Sequence, residues 1–119
     1  MADPRRHTGA AGEDAVAAWY TVGGYEVVDR NWRVREGELD LIAQRGSLVV
    51  FCEVKTRRSE AFGAPVEAVT ARKQARIRQL AVQWLTAQHV RPRDLRFDVA
   101  SVKPDGRGSW IVDVIEAAF

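Results

Sequence analysis

The segment from Gly37 to Arg57, GELDLIAQRGSLVVFCEVKTR, constrains the fold more than any other part of the chain. Its residues are mostly apolar and often β-branched, which is typical of strands. Arg45-Gly46, between the two apolar runs, favours a two-residue hairpin turn. The segment therefore predicts two antiparallel strands that contribute to the core. Asp40, Glu53 and Lys55 are unexpected in such a segment, and they are the first candidates for a functional role.

The predicted turn also gives a pairing register for these charged residues. Counting outward from Arg45-Gly46 places Asp40 opposite Phe51, and Glu53 and Lys55 share the face of Phe51. Asp40 and Glu53 then become diagonal neighbours, roughly 7–8 Å apart at the backbone. A three-residue turn would exchange the two faces. The opposite face is predicted to be core because its side chains are all apolar: Leu39, Leu41, Ala43, Val50, Cys52 and Val54.

The clustered charges predict a site for a metal ion and a phosphate at one end of this face. Two carboxylates brought together repel each other, and a divalent cation removes the repulsion. Mg²⁺ usually takes one or two protein carboxylates, several waters and the phosphate oxygens of a substrate. Lys55 cannot ligate while protonated, but it can orient water and balance charge on a phosphate. The alternative interpretation is a simple ion pair of Lys55 with Glu53 or Asp40 at a wet sheet edge.

The whole chain predicts an α/β fold with the element order α-β-β-β-α-β-β. A helix between the third and fourth strands favours a right-handed parallel crossover, and the first three strands are expected to form an antiparallel meander. We expect a single domain over residues 1–119, with a mixed five-stranded sheet flanked by helices. Helices are predicted over residues 8–21 and 71–89, a loop over 58–69, and strands over 25–34, 38–44, 48–56, 95–102 and 110–115.

Composition excludes several classes of protein. The chain is 46% hydrophobic and 29% charged, which is ordinary for a soluble globular protein. Cys52 is the single cysteine, so an internal disulfide and a cysteine-based metal cluster are excluded. Without an apolar N-terminal segment or a run of membrane-spanning length, we predict a cytoplasmic protein without membrane contact. The net charge is only +2, yet 15 of the 18 basic residues are Arg. Arginine suits a phosphate-rich partner, and GC-rich codon usage explains the same bias equally well.

The chain resembles the PD-(D/E)xK nuclease superfamily through Asp40 followed, after twelve residues, by Glu53-Val54-Lys55. Its element order is similar to the αβββαβ core of restriction-endonuclease-like proteins. More closely, it resembles the uncharacterised bacterial YraN family, relatives of archaeal-type Holliday-junction resolvases. It departs from the motif at Leu39, which stands where proline is usual. The residues that carry this closer resemblance are Gly12-Glu13, Gly24-Tyr25, Asn31-Trp32-Arg33, 37–43, 51–57, Phe62-Gly63, Lys73, 96–99 and 116–119.

The resemblance implies a nuclease that uses Mg²⁺ or Mn²⁺ and acts on DNA, including branched or otherwise structured DNA. It implies that Asp40 and Glu53 bind the metal and that Lys55 is the catalytic lysine. Glu13 matches an acidic residue that resolvase relatives place on the first helix near the metal, so it joins the ligands and the catalytic set. Its other interpretation is stabilisation of a helix N-terminus. The alternative function is a non-catalytic nucleic-acid-binding module with the same fold. A two-fold homodimer would enlarge the DNA-binding surface.

Basic residues beside the predicted site are candidates for nucleic-acid contacts. Arg57 and Arg58 follow the lysine of the motif, and Thr70 is a good N-cap for the second helix. Lys73 and Arg76 lie near the start of that helix, where a phosphate would offset the repulsion between cations and the positive helix end. Lys73 also belongs to the row 73, 77, 80 and 84, so we expect its side chain to point towards the site.

Asp98 is the remaining acidic residue that attracts interest. It lies in the predicted fourth strand and faces away from its apolar neighbours Phe97 and Val99. We expect a structural role for it, either as the partner of an arginine such as Arg96 or as an indirect support of the site.

Overall fold

The computed structural model describes residues 4–57 and 69–119, with side chains from residue 10 onwards. Within these residues two helices and five strands follow the predicted order, and the predicted bounds of β3 and β5 are confirmed. Nearly all of the predicted loop lies outside the described residues. No helix in the described parts has the length and apolar character needed to span a membrane. The elements are α1 (Pro4–Val22), β1 (Glu26–Val34), β2 (Gly37–Arg45), β3 (Leu48–Thr56), α2 (Ala71–Ala87), β4 (Asp94–Pro104) and β5 (Trp110–Ile115).

The first helix, α1, begins at Pro4, four residues before its predicted start. Proline is compatible with the first turn of a helix because the amide that it lacks would have no partner there. Glu13 therefore lies in the third turn of α1. The interpretation that Glu13 stabilises the N-terminus of this helix is wrong, since the first turn contains no acidic residue.

The five strands form a mixed sheet in the order β1-β2-β3-β4-β5. The first three are antiparallel to one another, β3 and β4 are parallel, and β4 and β5 are antiparallel. The parallel pair flanks α2 in sequence, as expected because parallel neighbours need a long crossover connection. The predicted α/β architecture, with a mixed five-stranded sheet and helices packed on it, is confirmed.

The two helices cover opposite faces of this sheet. On one face, α1 contributes Val16 and Tyr20 to a buried cluster, and on the other face α2 contributes Ile77, Leu80 and Trp84. Each large side chain buried in this way stabilises the fold by roughly 1.5–3 kcal/mol relative to its exposed state. The sheet residues under α1 are Leu41, Ala43, Val50, Cys52, Ala100 and Val102. Those under α2 are Leu39, Ile42, Val49, Phe51, Phe97 and Val99.

The turn between β2 and β3 lies one residue later than predicted. Gly46 and Ser47 form it, and Arg45 pairs with Leu48. Gly46 has a φ of 58°, a left-handed conformation that glycine adopts without steric penalty. The predicted turn at Arg45-Gly46 is therefore wrong: Gly46 is the first residue of the turn, a position that glycine also favours in two-residue hairpins.

This change moves the pairing register of β2 and β3 by two residues. Ile42 lies opposite Phe51, so the predicted pairing of Asp40 with Phe51 is wrong. Because side chains alternate with a period of two, an even shift leaves each residue of the turn-proximal pairs on its predicted face. The last pair of the ladder is Leu41 with Cys52, and Asp40 lies one position beyond it. Asp40 is thus across from Glu53 instead of diagonal to it.

The alternation of β2 breaks between Leu39 and Leu41, which were predicted to share a face. Leu39 packs in the cluster under α2, whereas Leu41 packs in the cluster under α1. On the neighbouring strand, Asn31 lies between the pairs Arg30–Leu41 and Trp32–Leu39 and has a left-handed φ of 52°. Asparagine tolerates this conformation better than most residues. The irregularity on both strands lies beside Asp40.

Candidate functional site

The candidate site lies where the pairing of β2 with β3 ends. Both strands continue past the last pair, Leu41 with Cys52. Just beyond it, the backbone amide of Val54 donates a 2.9 Å hydrogen bond to Oδ2 of Asp40. We call this place, with Asp40 on β2 and Glu53 on β3, the β2–β3 gap. The main chain of β3 holds the Asp40 carboxylate in it.

Glu53 lies across the gap and pairs with two ammonium groups. The Nζ atom of Lys73 is 2.7 Å from Oε1 of Glu53, and the Nζ atom of Lys55 is 3.4 Å from the same oxygen. The Glu53 side chain is 11% exposed, so water screens these contacts less than it screens a surface ion pair. The predicted pairing of Lys55 with Glu53 is present, and the cluster also contains Asp40.

Lys73 reaches Glu53 from the first turn of α2. The hydroxyl of Thr70 accepts a 3.2 Å hydrogen bond from the backbone amide of Lys73. This bond caps the helix as predicted and fixes the backbone position of Lys73. The sequence had predicted that the Lys73 side chain points towards the site, because Lys73 lies in one helical row with residues 77, 80 and 84. Arg76 is exposed one turn later, with its Cδ atom 3.5 Å from the place that a Cβ on Gly37 would occupy. The start of α2 thus brings Lys73 into the site and leaves Arg76 exposed beside Gly37.

Glu13 approaches from the α1 side of the sheet. The helix comes so close to β3 at Gly12 that an added Cβ would lie 2.7 Å from Oγ1 of Thr56. Oε2 of Glu13 accepts a 3.0 Å hydrogen bond from the side-chain amide of Asn31 and lies 3.9 Å from a guanidinium nitrogen of Arg30. These two partners hold the Glu13 carboxylate on its own side of the sheet.

The acidic side chains of the site repel one another. Burial raises the pKa of Asp40 to about 7, together with repulsion from Glu53 and, more weakly, from Glu13, while the hydrogen bond from Val54 opposes the shift. Over residues 4–57 and 69–119, no three side chains of the Asp, Glu, His or Cys type converge as a ligand set. The structure therefore brings Asp40 and Glu53 together and leaves Glu13 as a charged neighbour. Two such carboxylates fit the preference of Mg²⁺ for one or two protein carboxylates among its oxygen ligands.

The pKa values of Lys55 and Lys73 are shifted in opposite directions. Burial lowers the pKa of Lys55, and the nearby ammonium group of Lys73 lowers it further, against the attraction of Glu53. Burial also acts to lower the pKa of Lys73, but the bond to Glu53 outweighs it and leaves that pKa raised. Lys73 is thus the more permanent cation, and Lys55 releases a proton more easily.

Of the predicted arginine contacts, the structure describes Arg57 and Arg76. The backbone amide of Arg57 donates a 2.7 Å hydrogen bond to the carbonyl of Val102, which extends the pairing of β3 with β4 past Thr56. The Arg57 side chain is half-buried just after the lysine of the motif. Arg58 lies outside the described residues.

Sequence reasoning gave Asn31 no role of its own. The structure shows that Asn31 links the irregularity of β1 to the carboxylate of Glu13 through its side-chain amide. An asparagine in the middle of an otherwise apolar and charged strand is the signal that was available, since this residue type is enriched at left-handed positions. Its partner on α1 was not accessible from the sequence.

Asp98 is fully buried on the face of the sheet that α1 covers. The guanidinium group of Arg96 donates two hydrogen bonds to its carboxylate, at 2.8 and 2.9 Å. The hydroxyl of Tyr20 donates a third at 2.6 Å, and the backbone amide of Ala117 donates a fourth at 3.0 Å. Burial, with the nearby Cys52 and Asp98, raises the pKa of Tyr20, so its hydroxyl remains a donor. The expected pairing with Arg96 is confirmed, and Asp98 joins β4 to α1 and to the C-terminal residues.

Comparison with known proteins identifies the family. The sequence profile of Uncharacterised protein family UPF0102 matches residues 12–102. A UPF0102 protein of Frankia casuarinae is 50% identical over 112 residues, which cover 93% of this chain and 94% of that protein. One of Symbiobacterium thermophilum is 47% identical over 114 residues (96% and 97%), and one of Rhodococcus jostii is 54% identical over 94 residues (79% and 80%). The chain belongs to Uncharacterised protein family UPF0102, the YraN family that its sequence resembles.

Proposed function

We propose that this protein is a metal-dependent nuclease that hydrolyses phosphodiester bonds in DNA, including branched or otherwise structured DNA. The observation that carries the proposal is the pair of facing carboxylates in the β2–β3 gap, with two lysines at their edge. Buried like charges of this kind are unfavourable in a structural role alone, and groups with shifted pKa values in such an arrangement are typical of functional sites. The family resemblance to PD-(D/E)xK nucleases agrees with this reading.

In the proposal, Asp40 and Glu53 hold Mg²⁺ or Mn²⁺, with Glu13 as a further acidic neighbour. The ion would supply charge stabilisation at the phosphate and acidify a bound water. The raised pKa of Asp40 supports this assignment, because a bound divalent cation would offset both the burial and the repulsion from Glu53 that produce it. Carboxylate oxygens and water are the ligands that Mg²⁺ prefers, and a DNA phosphate completes such a set.

The basic residues of the site act on the water and the phosphate. Lys55 orients the attacking water by hydrogen bonding and stabilises the negative charge that develops on the phosphate. Its pKa is lowered, chiefly by burial, so Lys55 releases a proton more easily than an exposed lysine does. Lys73 and Arg76 from α2, together with Arg57 and Arg58 after β3, hold the DNA backbone by contacts to phosphate oxygens.

The decisive experiment is a cleavage assay with Mn²⁺ and a panel of single-stranded, duplex, flapped and four-way DNA. We expect cleavage of at least one substrate, and we expect Asp40→Ala to reduce it to background because the metal loses a ligand. Glu26→Ala is the matched control, since Glu26 is an exposed acid at the far end of β1; it should retain the activity. If the wild-type protein cleaves none of these substrates above the Asp40→Ala level, the nuclease proposal is rejected.

A non-catalytic nucleic-acid-binding module is the second candidate. The observation that favours it is the pairing of Glu53 with two protein cations, which already neutralise part of the acidic charge. This candidate predicts DNA binding that weakens steeply with salt, because phosphate contacts release counterions, and no turnover with any divalent ion. Fluorescence anisotropy at several salt concentrations, run beside the cleavage assay, separates the two functions. Binding that does not respond to salt would count against both.

Two further parts of the proposal concern partners and location. We infer a two-fold homodimer, because a chain of this size offers little surface to contact two arms of a branched DNA, and a two-fold dimer doubles that surface. Light scattering during gel filtration gives the oligomeric state directly. A DNA substrate in a bacterial cell also assigns the protein to the cytoplasm.

A further inference from the structure

We propose that Lys73 is a displaceable counter-ion of Glu53, which holds this carboxylate until a divalent cation enters and then turns outward to contact phosphate. The inference rests on the proposed function, because it presupposes a cation between Asp40 and Glu53. It adds a linkage to that function: entry of the metal and release of Lys73 become one event.

The competition follows from the contacts of a single oxygen atom. Both ammonium groups, of Lys55 and of Lys73, lie on Oε1 of Glu53, and Lys73 is the closer at 2.7 Å. A divalent ion that ligates Glu53 needs the lone pairs of the same carboxylate and carries two positive charges. An ammonium at hydrogen-bond distance from that carboxylate therefore opposes the ion by occupying a lone pair and by repulsion.

Lys73 is the lysine that is able to leave. Its side chain is 35% exposed and belongs to the first turn of α2, whereas the Lys55 side chain is 24% exposed and belongs to a strand paired with β4. The cap by Thr70 fixes the Lys73 backbone, so displacement requires rotation of one flexible side chain and no movement of the helix. Lys55 stays in place beside the gap for its role in hydrolysis.

The direction of release is set by the surface around α2. Arg76 is exposed one helical turn after Lys73. Residues three apart are neighbours on a helix surface, so the two side chains project from the same side of α2. An ammonium released from Glu53 thus joins Arg76 on the face where a DNA backbone would lie. Because coupling between two ligands is reciprocal, metal should strengthen phosphate binding through Lys73, and phosphate should strengthen metal binding.

The test is a calorimetric titration of Mn²⁺ into the wild-type protein and three variants, without DNA. We expect Lys73→Met to bind Mn²⁺ about tenfold more tightly than wild type, a coupling of ordinary size. Arg72→Met is the matched control, because it removes a charge from the same helical turn at a residue that forms no ion pair with Glu53. Lys73→Arg retains the charge and should bind as the wild type does. Melting curves without metal check that each variant is folded.

The outcomes separate the linkage from the proposed function. Tighter binding by Lys73→Met than by Arg72→Met, with Lys73→Arg near wild type, supports the displacement. Equal affinities of Lys73→Met and Arg72→Met, or weaker binding by Lys73→Met, overturn the displacement and leave the metal site intact. A lack of Mn²⁺ binding by every folded variant overturns the metal site itself, and the displacement with it.

Discussion

Replacement of Asp98 by alanine is expected to lower the free energy of unfolding by about 4 kcal/mol. The substitution removes the carboxylate that accepts hydrogen bonds from Arg96, Tyr20 and the backbone of Ala117. The guanidinium group of Arg96, whose side chain is 16% exposed, is left without the buried charge that balances it. Breaking a buried pair by removing one partner is costly for this reason, even where the intact pair adds little net stability.

Urea denaturation followed by circular dichroism measures this effect, and two variants calibrate it. Tyr20→Phe removes one donor and leaves Asp98 with Arg96, so we expect a loss of about 1 kcal/mol. Asp113→Ala changes an exposed aspartate on β5 and should lie within about 0.5 kcal/mol of wild type. If Asp98→Ala is no less stable than Tyr20→Phe, the four contacts of Asp98 do not have the structural role described above.

Replacement of Asp40 by asparagine should have the opposite effect and raise the free energy of unfolding at pH 8 by about 2–4 kcal/mol in the absence of metal. The pKa of Asp40 is about 7 in the folded protein against an ordinary value of 3.8. The folded state therefore binds the proton more tightly than the unfolded state. Stability attributable to Asp40 is present below about pH 4 and is lost as the pH rises towards 7. Asparagine keeps an oxygen for the Val54 amide and has no charge to lose.

Urea denaturation curves at pH 5 and pH 8 test this prediction. We expect the difference in stability between Asp40→Asn and wild type to be larger at pH 8 than at pH 5, and Mn²⁺ to reduce it at pH 8 by binding the wild type. Glu26→Gln, at an exposed acid of β1, should follow the wild type at both values. Parallel pH dependences of wild type and Asp40→Asn would show that burial and repulsion in the gap do not raise the pKa of Asp40.

Much of the fold was predictable because the signals are local. The bounds of β3 and β5 follow from largely apolar stretches rich in β-branched residues, and Thr70 marks the start of α2 by its capping chemistry. The turn after Arg45 was placed one residue early, because several two-residue turns containing Gly46 satisfy the same pattern. The error did not change the predicted faces of the residues paired near the turn, since it moved the register by an even number. The break in alternation between Leu39 and Leu41, beside Asp40, was not predicted.

The site was less predictable wherever it depends on contacts between distant elements. Asp40, Glu53 and Lys55 share one hairpin, so their proximity follows from the antiparallel pairing of its two strands. The contact of Lys73 with Glu53 depends on how α2 packs against β3, and the sequence indicated only its direction. The left-handed Asn31 and its bond to Glu13 depend on the approach of α1, which no local pattern in β1 describes.

The β2–β3 gap has a consequence for communication across the sheet. A regular sheet insulates the side chains on its two faces, but here Glu13 from α1 and Lys73 from α2 both act on the charge of Asp40. A double-mutant cycle between Glu13→Gln and Lys73→Met should therefore give a non-zero interaction energy in metal affinity, although the two helices pack on opposite faces. The sheet separates the two hydrophobic clusters, but at the β2–β3 gap it transmits electrostatic interactions from one face to the other.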